Sequence, residues 1–371
     1  MDRAFLKGTR ITLALFCVAA SFVLAEVLLF LLAPWWGFYE YDPDMGFRVR
    51  AHAHGANQFG FNDRDYPLQK SGGIYRILMI NDSFGWEGGL NANYTALLEN
   101  KLESHFGKHA IDVINSGYPM THTGEQLPML KKFGLQYDPD MVILGFFAGN
   151  DFLDANPFRK RVAYNDLLYF DVDSREPVPT FWGRPLIGKS LVFMLIKQKY
   201  MVWRSLEPHF EKEDQPFYAL PIFLGIESQV IQFYLPKLHA ARAFNANVRY
   251  AVESLSAMNG LLKKRKIKFL VAILPDQLSV DDALAGVVLD SLRIERSDFD
   301  GSLAQKLLTD YFRREQIPYI DLLPVFRKAG KEKRLYRAQD IHWNRQGNEL
   351  AAEAIAGYLL QSKTLYGHKN R

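Results

Sequence analysis

The 371-residue chain carries 45 Lys+Arg against 41 Asp+Glu, a formal charge of +4, and is 48% apolar, 14% aromatic and 23% charged. That composition excludes a disordered, collagen-like or low-complexity chain, and so small a net charge gives no whole-protein case for binding nucleic acid. The single cysteine, Cys17, excludes an internal disulfide framework and every Cys-clustered metal site.

The first predicted element is a membrane span. Residues 11–33 are interrupted only by Thr12, Ser21 and Glu26 as polar side chains. As a helix this run rises roughly 34 Å, enough for a hydrocarbon core of roughly 30 Å. Arg3, Lys7 and Arg10 precede it, whereas Glu40, Asp42 and Asp44 follow with no basic residue before Arg48. The positive-inside rule then leaves residues 1–10 in the cytoplasm and the rest beyond the membrane. A cleaved signal peptide has a shorter apolar region and an A-x-A-like cleavage site. Here the run is long and closes on Ala33-Pro34-Trp35-Trp36, which reads as an interfacial aromatic belt, so an uncleaved anchor is expected. A lipoprotein reading at Cys17 is set aside, because Phe16 stands where a small residue is required. Glu26 is costly inside the span, and two readings stay open: it pairs with a membrane partner, or it is carried neutral in a lone helix.

Residues 34–73 read as an irregular, turn-rich lead-in. Residues 74–80 (IYRILMI) form a short apolar, β-leaning run, the mark of a buried strand. A helix follows at about 94–106, then a strand at 111–114, a helix at about 125–133 and a strand at 141–147 (MVILGFF). Much later come strands at 268–274 (KFLVAIL) and 317–322, flanked by helical patterns near 301–315 and 345–360. Strands alternating with helices imply βαβ crossovers and a mostly parallel sheet covered on both faces, an α/β domain over residues 74–362. Residues 155–245, rich in aromatics and prolines, separate the third and fourth strands too widely for a simple crossover and read as an insertion. Within it, residues 186–203 carry Ile187, Leu191, Met194, Leu195, Met201 and Val202 at helical spacing, punctuated by Lys189, Lys197, Lys199 and Arg204. That stripe is expected to pack on the core; an interfacial helix or a lid is the alternative.

Chemistry-bearing residues recur after the strands. The first strand runs into Asn81-Asp82-Ser83-Phe84-Gly85, the second into Asn115-Ser116-Gly117-Tyr118 and the third into Gly149-Asn150-Asp151, while Asp340-Ile341-His342 stands near the C-terminus. Parallel strands present their carboxyl ends on one rim, where such sheets bind ligands. These residue types suffice for acyl transfer. Ser83 Oγ would attack an ester carbonyl as His342 takes its proton, and Asp340 would orient the imidazole. The Ser83 and Gly117 N–H groups and the Asn150 amide would serve as oxyanion donors. His52 and His54 have no acidic cluster beside them, so neither a metal nor a cofactor is expected.

In order and context these blocks resemble the SGNH (GDSL-type) hydrolase superfamily, in its membrane-anchored bacterial form. Asn81-Asp82-Ser83 matches its G-D-S block, Gly117 the second, Asn150-Asp151 the end of its G-x-N-D block and Asp340/His342 the last; the lead-in Gly60-Phe61-Asn62-Asp63 and the turn from Phe84 to Gly89 add to the likeness. The resemblance implies a three-layer α/β/α fold of flavodoxin-like topology, with Asp82 and Asp151 supporting the site. Three departures stand out. Asn81 replaces a glycine, a change tolerable even at positive φ; Ala148 replaces another; and the last block is D-x-H where D-x-x-H is more frequent. What is implied is a single-pass protein of the cytoplasmic membrane whose extracytoplasmic domain, periplasmic in a Gram-negative cell, is a serine esterase acting on acyl, often acetyl, esters of carbohydrate or another envelope molecule. An O-acyltransferase served by a membrane-embedded acyl donor is the alternative, and a non-catalytic binding protein a third. Activity limited by His342 would fall on acidification through about pH 6–7.

Overall fold

The computed structural model describes residues 3–205, 214–239, 242–362 and 365. It divides the chain into two compact units, residues 1–53 with 158–204, and residues 54–157 with 205–371.

The second unit is built on five strands: β1 (Tyr75–Ile80), β2 (Ile111–Asn115), β3 (Met141–Phe147), β4 (Lys268–Leu274) and β5 (Tyr319–Asp321). All pair in parallel, in the order β2-β1-β3-β4-β5. That is the flavodoxin-like order, with its switch point between β1 and β3. β3 is buried along its whole length and β4 at every residue after Lys268, which is why both read as unbroken apolar runs: each has helices on both faces.

Five helices make those layers: α1 (Tyr94–Phe106), α2 (Thr123–Lys132), α3 (Arg242–Lys264), α4 (Leu303–Glu315) and α5 (Arg345–Gln361). α1 packs against α5, and α2 against α3. Successive strand residues point to opposite faces. Ile77 and Met79 of β1 therefore join Leu98 and Leu102 of α1 and Ile355 and Leu359 of α5 in one core, while Leu78 faces the other way, towards Gly134 just beyond α2. α1 is started by Asn93, whose side chain accepts from Thr95 N and Ala96 N, and α2 by a capping box between His122 and Glu125.

The sequence pattern did not give α3, nor the helices Leu220–Val230, Asp282–Leu292 and Leu323–Gly330. The stretch read as one insertion, residues 155–245, divides between the units. Its first half joins the residues around the N-terminal helix, and its second half leads into α3.

The first unit holds the helix Arg3–Leu32, within which and just beyond which Thr9–Trp35 is long and apolar enough to cross a membrane. Three short antiparallel pairs follow: Tyr39–Glu40 with Arg48–Val49, Arg159–Ala163 with Tyr169–Asp173, and Thr180–Phe181 with Arg184–Pro185. The helix Leu191–Ser205 completes it. Its small core gathers Ala33, Val162, Tyr164, Leu168, Phe170, Leu191 and Met194.

One close approach fixes where α5 begins. Asn344 caps the helix by accepting from Gly347 N at 3.0 Å, and a Cβ on Gly347 would lie 2.3 Å from Leu335 O and 2.8 Å from Trp343 Cβ. Gly→Ala inside a helix ordinarily stabilises by up to about 1 kcal/mol. Gly347→Ala is expected to destabilise instead, by about 1–3 kcal/mol, whereas Gly357→Ala in the same helix, which has nothing within 4 Å of a new Cβ, is expected to stabilise. Thermal melts of the two variants check the opposite signs.

Candidate active site

Directly after β1 the chain turns once as a short 3₁₀ helix, Ser83–Gly85, capped by Asp82, whose Oδ1 accepts from Phe84 N at 2.9 Å. The histidine arrives from the other end of the sequence on a clamped segment. Tyr336 and Trp343 form a β-bridge, and Arg337 N donates to His342 O at 3.0 Å. Trp343 is buried, with its ring 4.8 Å from Phe84, 4.8 Å from Phe326 and 5.6 Å from Tyr94. Anchored on both sides, His342 faces the turn that carries Ser83.

His342 Nε2 lies 2.7 Å from Ser83 Oγ, and Nδ1 lies 2.7 Å from Asp340 Oδ1. With the ring neutral, Nδ1–H donates to Asp340 and Nε2 accepts the serine proton. The D-x-H spacing therefore closes a Ser–His–Asp relay. Asp340 is fully buried, and its second oxygen is 3.6 Å from Arg337 Nη1. Arg337 also donates to Glu87 Oε2 at 2.7 Å, and Glu87 Oε1 lies 3.8 Å from His342 Nδ1. Glu87 was not among the residues singled out in the sequence; no motif marks it, and its partner Arg337 is 250 positions away.

These charges set the protonation states. Burial pulls the His342 imidazole down, but the carboxylates of Asp340, Glu87 and Asp82 outweigh it, and its pKa is pushed up to about 9. That lies above the range of about 6–7 expected from the sequence. Burial raises Asp340, yet the facing imidazolium and Arg337 hold its carboxyl below the usual range. Asp82 and Asp151 go the other way: burial raises Asp82 to about 6, and burial with the Asp82 charge raises Asp151 well above the usual range.

Glu87, Asp340 and His342 each offer one ligand atom within 4.8 Å of the others. A cation there would have to displace the Nδ1–Asp340 hydrogen bond that orients the ring. His52 and His54, at φ +60° and +50°, belong to no such group among the described residues.

The expected oxyanion donors are placed differently from one another. Ser83 N–H has no hydrogen-bond partner among the described residues and stays available. Gly117 N–H is already given to Asn115 Oδ1 at 3.1 Å, so the donor expected there is engaged. What Gly117 supplies is closeness: a Cβ would lie 3.0 Å from Asp82 O, and its carbonyl accepts from Trp86 Nε1 at 2.8 Å. Asn150 follows β3, next to β1 in the sheet, and its buried Oδ1 has no hydrogen-bond partner among the described residues. Asp151 Oδ2 accepts from Phe147 N at 2.8 Å, tying this turn to the end of β3.

The Asn81 departure has a structural explanation. Its backbone is not left-handed. Its side chain is buried, its Oδ1 accepts from Tyr94 Oη, and its Nδ2 donates to Asn115 Oδ1 at 3.2 Å. Asn115 Nδ2 in turn donates to Asn62 O at 3.0 Å and to Gly85 O at 2.6 Å. Ala148 is fully buried, and its N–H donates to Leu274 O at 3.0 Å.

Residues 233–371 match the family described as ALGX: SGNH hydrolase-like domain, acetyltransferase AlgX; the match holds Asp340 and His342 and begins after Ser83, Gly117 and Asn150. No curated protein is similar enough to serve as a relative. Among solved structures, the acetyl xylan esterase AlAXEase is similar at 14% identity, over 76% of this chain and 99% of that one, with a TM-score of 0.42. A lipase/acylhydrolase from Enterococcus faecalis is similar at 13% identity, over 78% and 97%, with a TM-score of 0.36. Likeness at that level is too distant to speak for activity. The sheet order and the four blocks in sequence, together with the match over residues 233–371, are what the α/β unit has in common with SGNH hydrolase-like domains.

Since the neutral imidazole is the form that takes a proton, activity is expected to rise with pH through about 9 and to fall on acidification. At pH 7 roughly one site in a hundred would be in that form. Removing the nearby charge in Glu87→Gln is expected to move the midpoint down by about one pH unit. A pH–rate profile of kcat/KM for both proteins checks the value and the direction.

Proposed function

We propose that this domain is a serine esterase working through an acyl-Ser83 intermediate. Ser83 Oγ attacks the ester carbonyl and its proton passes to His342 Nε2. Asp340 holds the ring by Nδ1 and stabilises the imidazolium that forms. The tetrahedral oxyanion is met by Ser83 N–H and by the Asn150 amide; losing one such donor typically costs on the order of 10²–10³ in rate. His342 then returns the proton to the leaving alcohol and activates the water that releases the acyl group. The observation that carries this reading is the pair of 2.7 Å contacts running Ser83–His342–Asp340. The substrate we assign is an acyl ester, acetyl in the first instance, on carbohydrate or another envelope molecule, reached from a membrane anchor at Thr9–Trp35 with the domain outside the cytoplasm.

A second reading rests on the family match to an acetyltransferase domain. Here the same acyl-Ser83 is resolved by a sugar hydroxyl, with a membrane-embedded donor reloading the serine. Both readings use every residue named above and differ in whether water or a hydroxyl reaches the acyl carbonyl first.

The test is labelling of the full-length protein in detergent with a fluorophosphonate, at pH 9, read by intact mass. One adduct on wild type and none on Ser83→Ala is expected; no adduct on folded wild type would leave a binding protein on an SGNH fold. Acetylated oligosaccharide supplied with and without a free sugar acceptor then separates release to water from transfer.

A further inference from the structure

The helix Leu191–Ser205 starts on a carboxylate that lies inside the apolar span. Glu26 accepts from Ser190 Oγ, from Leu191 N at 2.8 Å and from Val192 N at 3.3 Å. Those are among the first N–H groups of the helix, which have no partner inside it, so Glu26 caps it from another element, its carboxyl oxygens set against the helix's positive end. Glu26 stands nine residues before Trp35, about 13 Å along a helix axis. A helix whose first turn is bonded there begins below the aromatic pair Trp35–Trp36.

The apolar stripe expected to pack inward does so over Ile187, Leu191, Met194 and Leu195, while Met201 and Val202 at its far end are exposed. Leu191 and Met194 are buried, in the cluster that also takes Leu29, Phe30 and Ala33. The opposite face is apolar as well, and open: Phe193 is 66% exposed, Ile196 64% and Trp203 76%, with Tyr200 between them at spacings of three, four and three. Lys197 and Lys199 flank this second stripe, with stems long enough to reach outward from an apolar surface. A neighbouring turn repeats the pattern. Trp182 is 76% exposed and stacked on Phe181, whose ring meets Phe30 of the N-terminal helix at 6.4 Å. Arg184 donates to Phe30 O at 3.1 Å. The exposed stripe, the turn and the N-terminal helix thus form one continuous apolar surface within a single compact unit.

We infer that the helix Leu191–Ser205 and the turn at residues 181–184 are seated in the outer leaflet beside the N-terminal helix, with Phe193, Ile196, Tyr200 and Trp203 against lipid acyl chains. The occupant is lipid because the surface is continuous with a span that faces lipid and because its cap lies below the aromatic belt. This seating rests on the reading of Thr9–Trp35 as a membrane anchor, and the experiment separates the two.

Full-length protein carrying Cys17→Ser takes single cysteines by Phe193→Cys, Ile196→Cys, Leu15→Cys in the span and Glu353→Cys on α5. Each is labelled with bimane, reconstituted into phosphatidylcholine–phosphatidylglycerol vesicles, and quenched by nitroxide-labelled lipid and by iodide. At 193 and 196, several-fold stronger quenching by nitroxide lipid than at 353, with protection from iodide, is expected. Iodide quenching at 193 and 196 equal to that at 353, with Leu15→Cys still in lipid, would overturn the seating alone. Protection from both quenchers would overturn it in favour of a second copy of the chain. Iodide quenching at 15 would overturn the anchor and the seating with it.

Discussion

Asn81 is buried at the carboxyl end of β1, one residue before the cap of the turn that presents Ser83, and its amide can stay there only if both polar atoms are paired. Tyr94 satisfies one end and Asn115 the other. The room for this comes from three glycines. A Cβ on Gly145 would lie 2.6 Å from Asn81 Oδ1, on Gly85 2.6 Å from Asn115 Oδ1, and on Gly117 3.2 Å from the same oxygen. An unpaired buried amide costs about 1–3 kcal/mol, so the three glycines and the two amides depend on one another. The network joins the ends of β1 and β2 to α1 and to the lead-in through Asn62, and the position of Ser83 follows from it.

Around His342 the constraint is electrostatic. One carboxylate suffices to orient an imidazole, and Asp340 does so. Glu87 and Asp82 add negative charge that stabilises the imidazolium, and the cost is a smaller share of neutral base at rest. Arg337 offsets part of that by holding Asp340 and Glu87 together. Because the folded pKa lies above the usual 6.5, this cluster contributes stability that is complete below about pH 6.5 and lost as pH rises through about 9. The pH range that frees the base is therefore the range in which the same cluster stops helping the fold.

The parallel sheet was legible because its strands are buried on both faces and read as apolar runs, and the relay because each member sits beside a strand end or a helix start. α3 escaped because an amphipathic helix opening inside an aromatic-rich stretch was absorbed into an insertion. Glu87 and the engagement of Gly117 N–H escaped for another reason: both are set by contacts across the sheet ends, where residue type and spacing carry no signal. Asn81 could have been traced from the glycine inside MVILGFF, since a glycine in a central strand marks a close approach; its partner in that approach is visible only in three dimensions.

Glu26 was the one residue of the span for which sequence reasoning left two readings, a partner in the membrane or a neutral side chain. The structure gives it donors from its own chain: a serine hydroxyl and two backbone N–H groups from a helix more than 160 residues away. An intramembrane carboxylate costs several kcal/mol unless compensated, and a helix end placed in an apolar setting leaves unpaired N–H groups at comparable cost. Each problem is the other's solution. A helix whose open face were meant for water could have been capped by any surface Asn or Ser; with the N-terminal helix read as a membrane anchor, the proposed seating gives this cap and the exposed Phe193, Ile196 and Trp203 one common explanation.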